Sequence, residues 1–263
     1  MSLSVPFLSE AEIDRAALTL LRETGLHSIQ VPQTIVPVED VLEKHLRLSL
    51  DFDDLHTKLG VSMLDDEPEI LGALWVESRE VFIDQSPDPH EHPEMDGRYR
   101  FTLGHEIGHW WLHRSYLNNN IETEDMFDAQ HVSKPTVICR ASNSKDRIEW
   151  QADTFASSFL MPAGLVYLQW REAFSRSAPL IFEVFERDSD WTTPPMGWKG
   201  QIVLPSENFG RFDPRAVSYF FFRASSILAP RFGVSVQAMR VRLQRLGLLL
   251  IERPELSSFT GTR

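Results

Sequence analysis

The stretch RFTLGHEIGHWWLHR, from Arg100 to Arg114, constrains the fold more than any other part of the chain. Its apolar residues recur at helical spacing, and the same periodicity extends over Phe101 to Tyr116. On a helix, residues four apart lie about 40° apart round the axis and about 6 Å apart along it. His105 and His109 therefore share a face and can hold one metal ion. Glu106 lies about 100° round from His105, which places its carboxylate beside such an ion without making it a ligand. A general base acting on water at a zinc ion needs that position. The rival reading is a pair of histidines packed or solvated on a helix face. Gly104 and Gly108 cost up to about 1 kcal/mol each of helix propensity relative to alanine, and small residues at these positions permit close packing against another element.

Two histidines do not complete a zinc site, so a third ligand has to come from elsewhere. His113 is eight residues beyond His105, about 12 Å along the helix and about 80° round it, too far to reach the same ion. The glycine and third histidine of the H-E-x-x-H-x-x-G-x-x-H arrangement are not in place either. Downstream, RIEWQADTFASSFLMP (Arg147 to Pro162) carries Glu149 and Asp153 four apart on a predicted helix, so both carboxylates face one side. Glu149 can complete a His-His-Glu site. Asp153 can accept the second N–H of a ligand histidine and fix its tautomer. The alternative, a solvated acidic face, fits poorly with Ala152, Phe155, Ala156, Phe159 and Leu160, which mark a buried helix where unpaired carboxylates are costly.

Together, RYRFTLGHEIGHWWLHR and EWQADTFASSFLMP resemble the ImmA/IrrE family of zinc metallopeptidases. The resemblance runs from Val81 to Pro162 and continues more loosely to Leu250 through FGVSVQAMRVRLQRLGLL. It implies Zn2+ at His105, His109 and Glu149, with Glu106 as the base and Asp153 in the place of the family's Asp or Asn. It also implies an α+β, minimal zincin-like fold, with an active-site helix on a small β-sheet. Members resemble one another in acting inside bacteria and phages, where they cleave or regulate transcriptional repressors of stress-response and mobile-element genes, often beside a helix-turn-helix protein. A protein substrate of that kind, a helix-turn-helix repressor, is therefore the expected partner. No typical helix-turn-helix is visible at the N-terminus, so a fused repressor is not expected.

The chain of 263 residues, 42% hydrophobic and 24% charged, suits one main domain with a smaller partner. A zincin-like metallopeptidase domain is expected over 1–180, followed over 181–263 by a connector and a helical, helix-turn-helix-like C-terminal extension. Within the first, Ser9 to Thr24 and Val38 to Leu46 read as helices, Asp51 to Asp66 as an acidic loop, Ile70 to Asp84 as a β-hairpin and Gln85 to Gly97 as a loop. Thr136 to Arg140 reads as a short strand, and Lys145 to Met161 and Ala163 to Phe174 as helices. Asp188 to Asn208 reads as an irregular connector. No apolar run approaches the roughly 20 residues that cross a bilayer, so no membrane association is expected. The single cysteine, Cys139, fits a reducing compartment, and cytoplasm is the expected location.

The net charge of −12 argues against a protein that coats nucleic acid with its whole surface. Yet Pro214 to Leu250 carries Arg215, Arg223, Arg231, Arg240, Arg242 and Arg245 with no acidic residue. Two predicted helices joined at Gly233 to Ser235 have a helix-turn-helix shape, and Arg240, Arg242 and Arg245 on the second make DNA the rival partner. The plainer reading is that this unit packs on the peptidase domain and its arginines pair with acidic groups. A regulator that binds a repressor or DNA without cleaving is the alternative function.

The sequence does not identify the oxyanion donor; on residue type alone Arg114, Tyr116, His131 and Tyr167 are candidates. His90 and His92 read as loop surface, Cys139 as a small buried hydrophobe, and Trp110, Trp111, Trp150 and Trp170 as packing residues. A peptide substrate is expected to add along the sheet edge near Val81 to Asp84.

Overall fold

Ser9 starts the first helix with both halves of a capping box: its hydroxyl accepts from the Glu12 amide, and the Glu12 carboxylate accepts from the Ser9 amide. In this computed structural model, which describes residues 5–26, 34–60, 69–86, 92–121, 135–140, 146–182 and 214–252, the chain divides into two compact units. The first comprises Met1–Pro162 with Arg231–Ser235, and the second Ala163–Pro230 with Val236–Arg263.

The first unit runs α1 (Glu10–Glu23), α2 (Val38–Asp40) continued by a π-helical turn (Val41–His45), β1 (Ser49–Asp53), α3 (Leu55–Leu59), β2 (Ile70–Trp75) and β3 (Glu80–Asp84). Then follow α4 (Asp96–Gly108), a second π-helical turn (His109–His113), α5 (Arg114–Ile121), β4 (Val137–Arg140) and α6 (Arg147–Leu160). It is a mixed α+β arrangement with a small sheet and mostly helices. The sheet order is β1-β3-β2-β4, with β1 parallel to β3 and the other neighbours antiparallel.

Strand register sorts the sheet into two faces. Gly72 is opposite Ile83 on one side and Cys139 on the other, and Leu74 is opposite Val81 and Val137. This face meets α4, because a Cβ placed on Gly72 would touch Glu106 and Thr102. Ala73, Trp75, Phe82 and Ile138 lie on the other face and pack with Leu55 and Leu59 of α3. On the outer side of α4, helix α6 packs closely, and α1 buries Ile13, Ala17, Leu20 and Leu21 behind it.

Two expectations are corrected here. The predicted loop over Asp51 to Asp66 contains most of β1 and all of α3, with residues 61–68 lying outside the described residues. Strand β1 is a half-exposed edge whose sequence SLDFD has no apolar run; its pairing with β3 makes it a strand. Helix α3 is begun by the Asp54 side chain, which accepts from the Thr57 amide at 3.0 Å, and is ended by Gly60 at φ 63°. Second, β3 (Glu80–Asp84) is flanked on both sides by β1 and β2, so it has no free edge for a peptide; β4 is the edge strand that bears Cys139, near His105 and Glu106 of α4.

The second unit contains α7 (Ala163–Phe174), β5 (Leu180–Ile181), most of α8 (Pro214–Phe232), α9 (Val236–Arg245) and β6 (Leu249–Leu250), with β5 and β6 parallel. Trp170 is fully buried and packs on Phe174. Residues 188–208 lie outside the described residues. Among the described residues no helix is long and apolar enough to cross a membrane.

Candidate metal centre

Two glycines let α4 and α6 approach. A Cβ on Gly104 would lie 3.3 Å from the Ala156 Cβ, and one on Gly108 would lie 3.1 Å from both the Cα and the carbonyl oxygen of Ala152. Glycine and alanine thus pack backbone against backbone, which carries Glu149 and Asp153 of α6 up to His105 and His109 of α4. Ligand atoms of His105, His109 and Glu149 all lie within 4.8 Å of one another. Glu149 Oε2 is 3.2 Å from His105 Nε2, and Glu149 Oε1 is 3.4 Å from His109 Nε2. His109 and Glu106 are fully buried and His105 nearly so.

Hydrogen bonds fix the tautomers of both histidines. His105 Nδ1 donates to Asp153 Oδ1 at 2.8 Å, the role Asp153 was expected to fill, so its Nε2 presents a lone pair to Glu149's side. For His109 the chain is longer. The Gln151 amide donates to the Pro6 carbonyl at 2.8 Å, which turns its oxygen toward His113 Nε2 at 2.9 Å. His113 must donate there, because an amide oxygen only accepts. Burial, its largest influence, lowers the His113 pKa and keeps the ring neutral, so His113 Nδ1 accepts from His109 Nδ1 at 3.3 Å. His109 Nε2 is then also a bare lone pair. The π-helical turn over His109–His113 brings these two rings together, since a widened turn leaves residues four apart nearly in line.

The two Nε2 atoms are 2.8 Å apart. Two lone pairs at that distance beside a carboxylate call for a positive charge between them, either a proton or a metal ion. The pKa directions agree. Burial opposes charge on His105, but Cys139, Asp153 and Glu149 outweigh it and hold its pKa well above the usual value. Burial, the largest influence, works against Glu149, yet the two histidines against its oxygens hold its carboxyl well below the ordinary range. Burial and the neighbouring His105 push His109 down to about 4. Two imidazole donors and one carboxylate form the protein donor set zinc takes in hydrolytic sites. The residues fit the metal.

Glu106 lies outside the His105–His109–Glu149 group but within 4.8 Å of ligand atoms of His105 and Cys139. It is fully buried, neither carboxylate oxygen has a hydrogen-bond partner among the described residues, and burial raises its pKa to about 8. The carboxylate occupies space left by Gly72, where a Cβ would come within 2.8 Å of Oε1. An orphaned carboxylate in such a place is costly unless a cation or water meets it.

His113 is outside the groups of converging donors among the described residues, but it and Gln151 form a support for His109 that sequence reasoning missed. Gln151 lies two residues after Glu149, about 200° round the helix, so on the sequence it reads as facing away from the site. The Pro6 carbonyl that orients it belongs to a segment further held by the Arg147 guanidinium on the Val5 carbonyl and by Phe7 stacked on Trp150. Cys139 is buried, as expected of a small hydrophobe, but it also hydrogen-bonds His105. The alternation of TVICR, which sends Val137 and Cys139 to one face, is the signal that could have found it.

Arg114 donates to the Trp110 carbonyl at 3.0 Å and lies over both indoles of Trp110 and Trp111. Tyr167, in the second unit, donates to the Leu246 carbonyl at 3.1 Å. Tyr116 is exposed, and His131 lies outside the described residues, as does His90. His92 is an exposed neighbour of Glu94. In the C-terminal helices, Arg240 donates to the Ser218 hydroxyl at 3.3 Å and stacks on Phe221, while Arg242 is buried, with 3% exposure. That burial takes Arg242 out of the three arginines that the rival DNA reading sets against phosphates or bases. Within the first unit, the turn at Gly233 accepts a hydrogen bond from Arg100 Nε at 3.0 Å.

Residues 90–179 match the family model Peptidase_M78, described as the IrrE N-terminal-like domain, in agreement with the resemblance read from the motifs. No curated protein matches the chain. Among solved structures, a Mycobacterium tuberculosis transcriptional regulator is similar, with 12% identity and a TM-score of 0.43 over 93% of this chain and 48% of its own. The chain thus spans about half the length of that protein.

Proposed function

From an IrrE N-terminal-like domain over residues 90–179, we propose that the chain is a cytoplasmic zinc-dependent endopeptidase. It hydrolyses a peptide bond in a transcriptional repressor or regulator of a stress-response or mobile-element system. The observation that carries this reading is the unpartnered, fully buried Glu106 carboxylate beside the converging donors of His105, His109 and Glu149. A pure binding module has no need of an orphaned base.

Zinc, when bound, polarises the scissile carbonyl and acidifies the attacking water. The protein's own residues do the rest. His105, His109 and Glu149 hold the ion, with Asp153 and the His113–Gln151–Pro6 chain fixing the ring orientations. Glu106 removes a proton from the attacking water and returns it to the leaving amine. Burial raises its pKa to about 8, and a cation alongside draws it back toward neutrality, the range in which one carboxyl can both accept and donate a proton. An extended substrate adds to the edge of β4, which bears Cys139 next to the centre.

The test is Glu106→Gln. Incubated with a proteome-derived peptide mixture and read by mass spectrometry, it should lose at least about a hundredfold in cleavage, the low end of general acid–base contributions, while retaining zinc. Cleavage at the wild-type rate would exclude Glu106 as the base. Zinc binding without cleavage by either protein would favour a regulator that acts by binding.

A further inference from the structure

We propose that Cys139 is a fourth ligand for the cation held by His105, His109 and Glu149, giving the protein a closed resting state from which the attacking water is excluded. The inference rests on the zinc site proposed above and goes beyond it, because a peptidase of that reading requires only three protein ligands.

Strand β4 places Cys139 opposite Gly72, on the sheet face that meets α4. Gly72 has no side chain to stand between the thiol and the helix. Cys139 is buried and hydrogen-bonds His105, one of the ligands. Ligand atoms of His105, Glu106 and Cys139 lie within 4.8 Å of one another, and His105 belongs equally to the His105–His109–Glu149 group. The sulfur is joined to that group through His105, and ligation closes the remaining distance to the cation. Independently, the Glu106 carboxylate is buried in the same place with neither oxygen partnered.

The chemistry closes the site in two ways. Zinc binds thiolate at about 2.3 Å, and sites with four protein ligands are closed while catalytic sites keep one position for water. On ligation the S–H bond breaks, the sulfur–metal bond forms, and the proton passes to the adjacent Glu106 carboxylate. The sulfur then fills the place of water and Glu106 holds the proton it would need to accept. Because Cys139 sits on an edge strand, a peptide pairing with β4 acts on the same strand that carries the sulfur, and thiolate release returns the proton from Glu106.

Cobalt(II) tests this in the full-length protein, since thiolate ligation gives a charge-transfer absorption in the near ultraviolet that nitrogen and oxygen ligands do not. The proposal expects one cobalt per chain with that band in the wild type, and one cobalt per chain without it in Cys139→Ser and Cys139→Ala, each checked for native circular dichroism. A wild type that binds one cobalt without the band overturns the proposal and leaves the three-ligand reading standing. A wild type that binds no cobalt or zinc overturns both. If the serine variant fails to fold, the wild-type spectrum decides alone.

Discussion

Replacing Gln151 with leucine should weaken metal binding although Gln151 touches no ligand. Its side chain is fully buried and makes two bonds, at 2.8 Å to the Pro6 carbonyl and at 2.9 Å to His113. Leucine is of similar size but leaves the buried imidazole N–H of His113 without a partner, while the carbonyl of the exposed Pro6 can turn to water, so a stability loss of about 1–3 kcal/mol follows. His113 is then free to reverse its tautomer and present an N–H to His109 Nδ1, which forces His109 to carry its own proton on Nε2, the atom that faces the centre. Loss of such an outer partner costs about 10–100-fold in metal affinity. Competition with a chromophoric chelator measures that affinity, and urea unfolding with and without zinc measures stability. Reduced stability with a zinc affinity within twofold of wild type would refute the tautomer chain and leave Gln151 a packing residue.

Gly72→Ala should retain one zinc per chain but cleave slowly, because the new methyl comes within 2.8 Å of Glu106 Oε1 and 3.0 Å of Thr102; full activity would show that the base does not need that space. Gly108→Ala meets the Ala152 backbone at 3.1 Å, and overpacking there should cost about 1–3 kcal/mol in urea unfolding and also lower zinc affinity by pushing α6 away. Zinc affinity itself should fall with pH. The raised His105 pKa means that its proton competes with the metal, so binding is strongest above that pKa and is lost as pH falls below it. Chelator competition at about pH 8 and about pH 6 checks this.

The core of the site was legible because helix geometry is rigid: spacing alone places His105 and His109 on one face, and Glu149 with Asp153 on another. The glycines that allow the two helices to touch were also visible, but only the structure identifies Ala152 and Ala156 as what they touch. Features that depend on contacts between distant segments were not legible. Pro6 orients Gln151 across 145 residues, and β1 owes its conformation to β3 rather than to its own polar sequence. The placement of β3 inside the sheet, which leaves β4 as the free edge proposed for a peptide, follows from strand order, and a hairpin pattern does not reveal which strands flank it. Arg242 reads as a surface cation on a helix wheel, and its burial depends on packing that the wheel does not contain.

The central claim is that these side chains form a zinc centre, and elemental analysis of metal-replete protein tests it most directly, with Glu149→Ala alongside. The account predicts about one zinc per chain in the wild type, the stoichiometry of a single His-His-Glu site, and its loss in the variant. Absence of zinc from the wild type, or equal zinc in the variant, would contradict it.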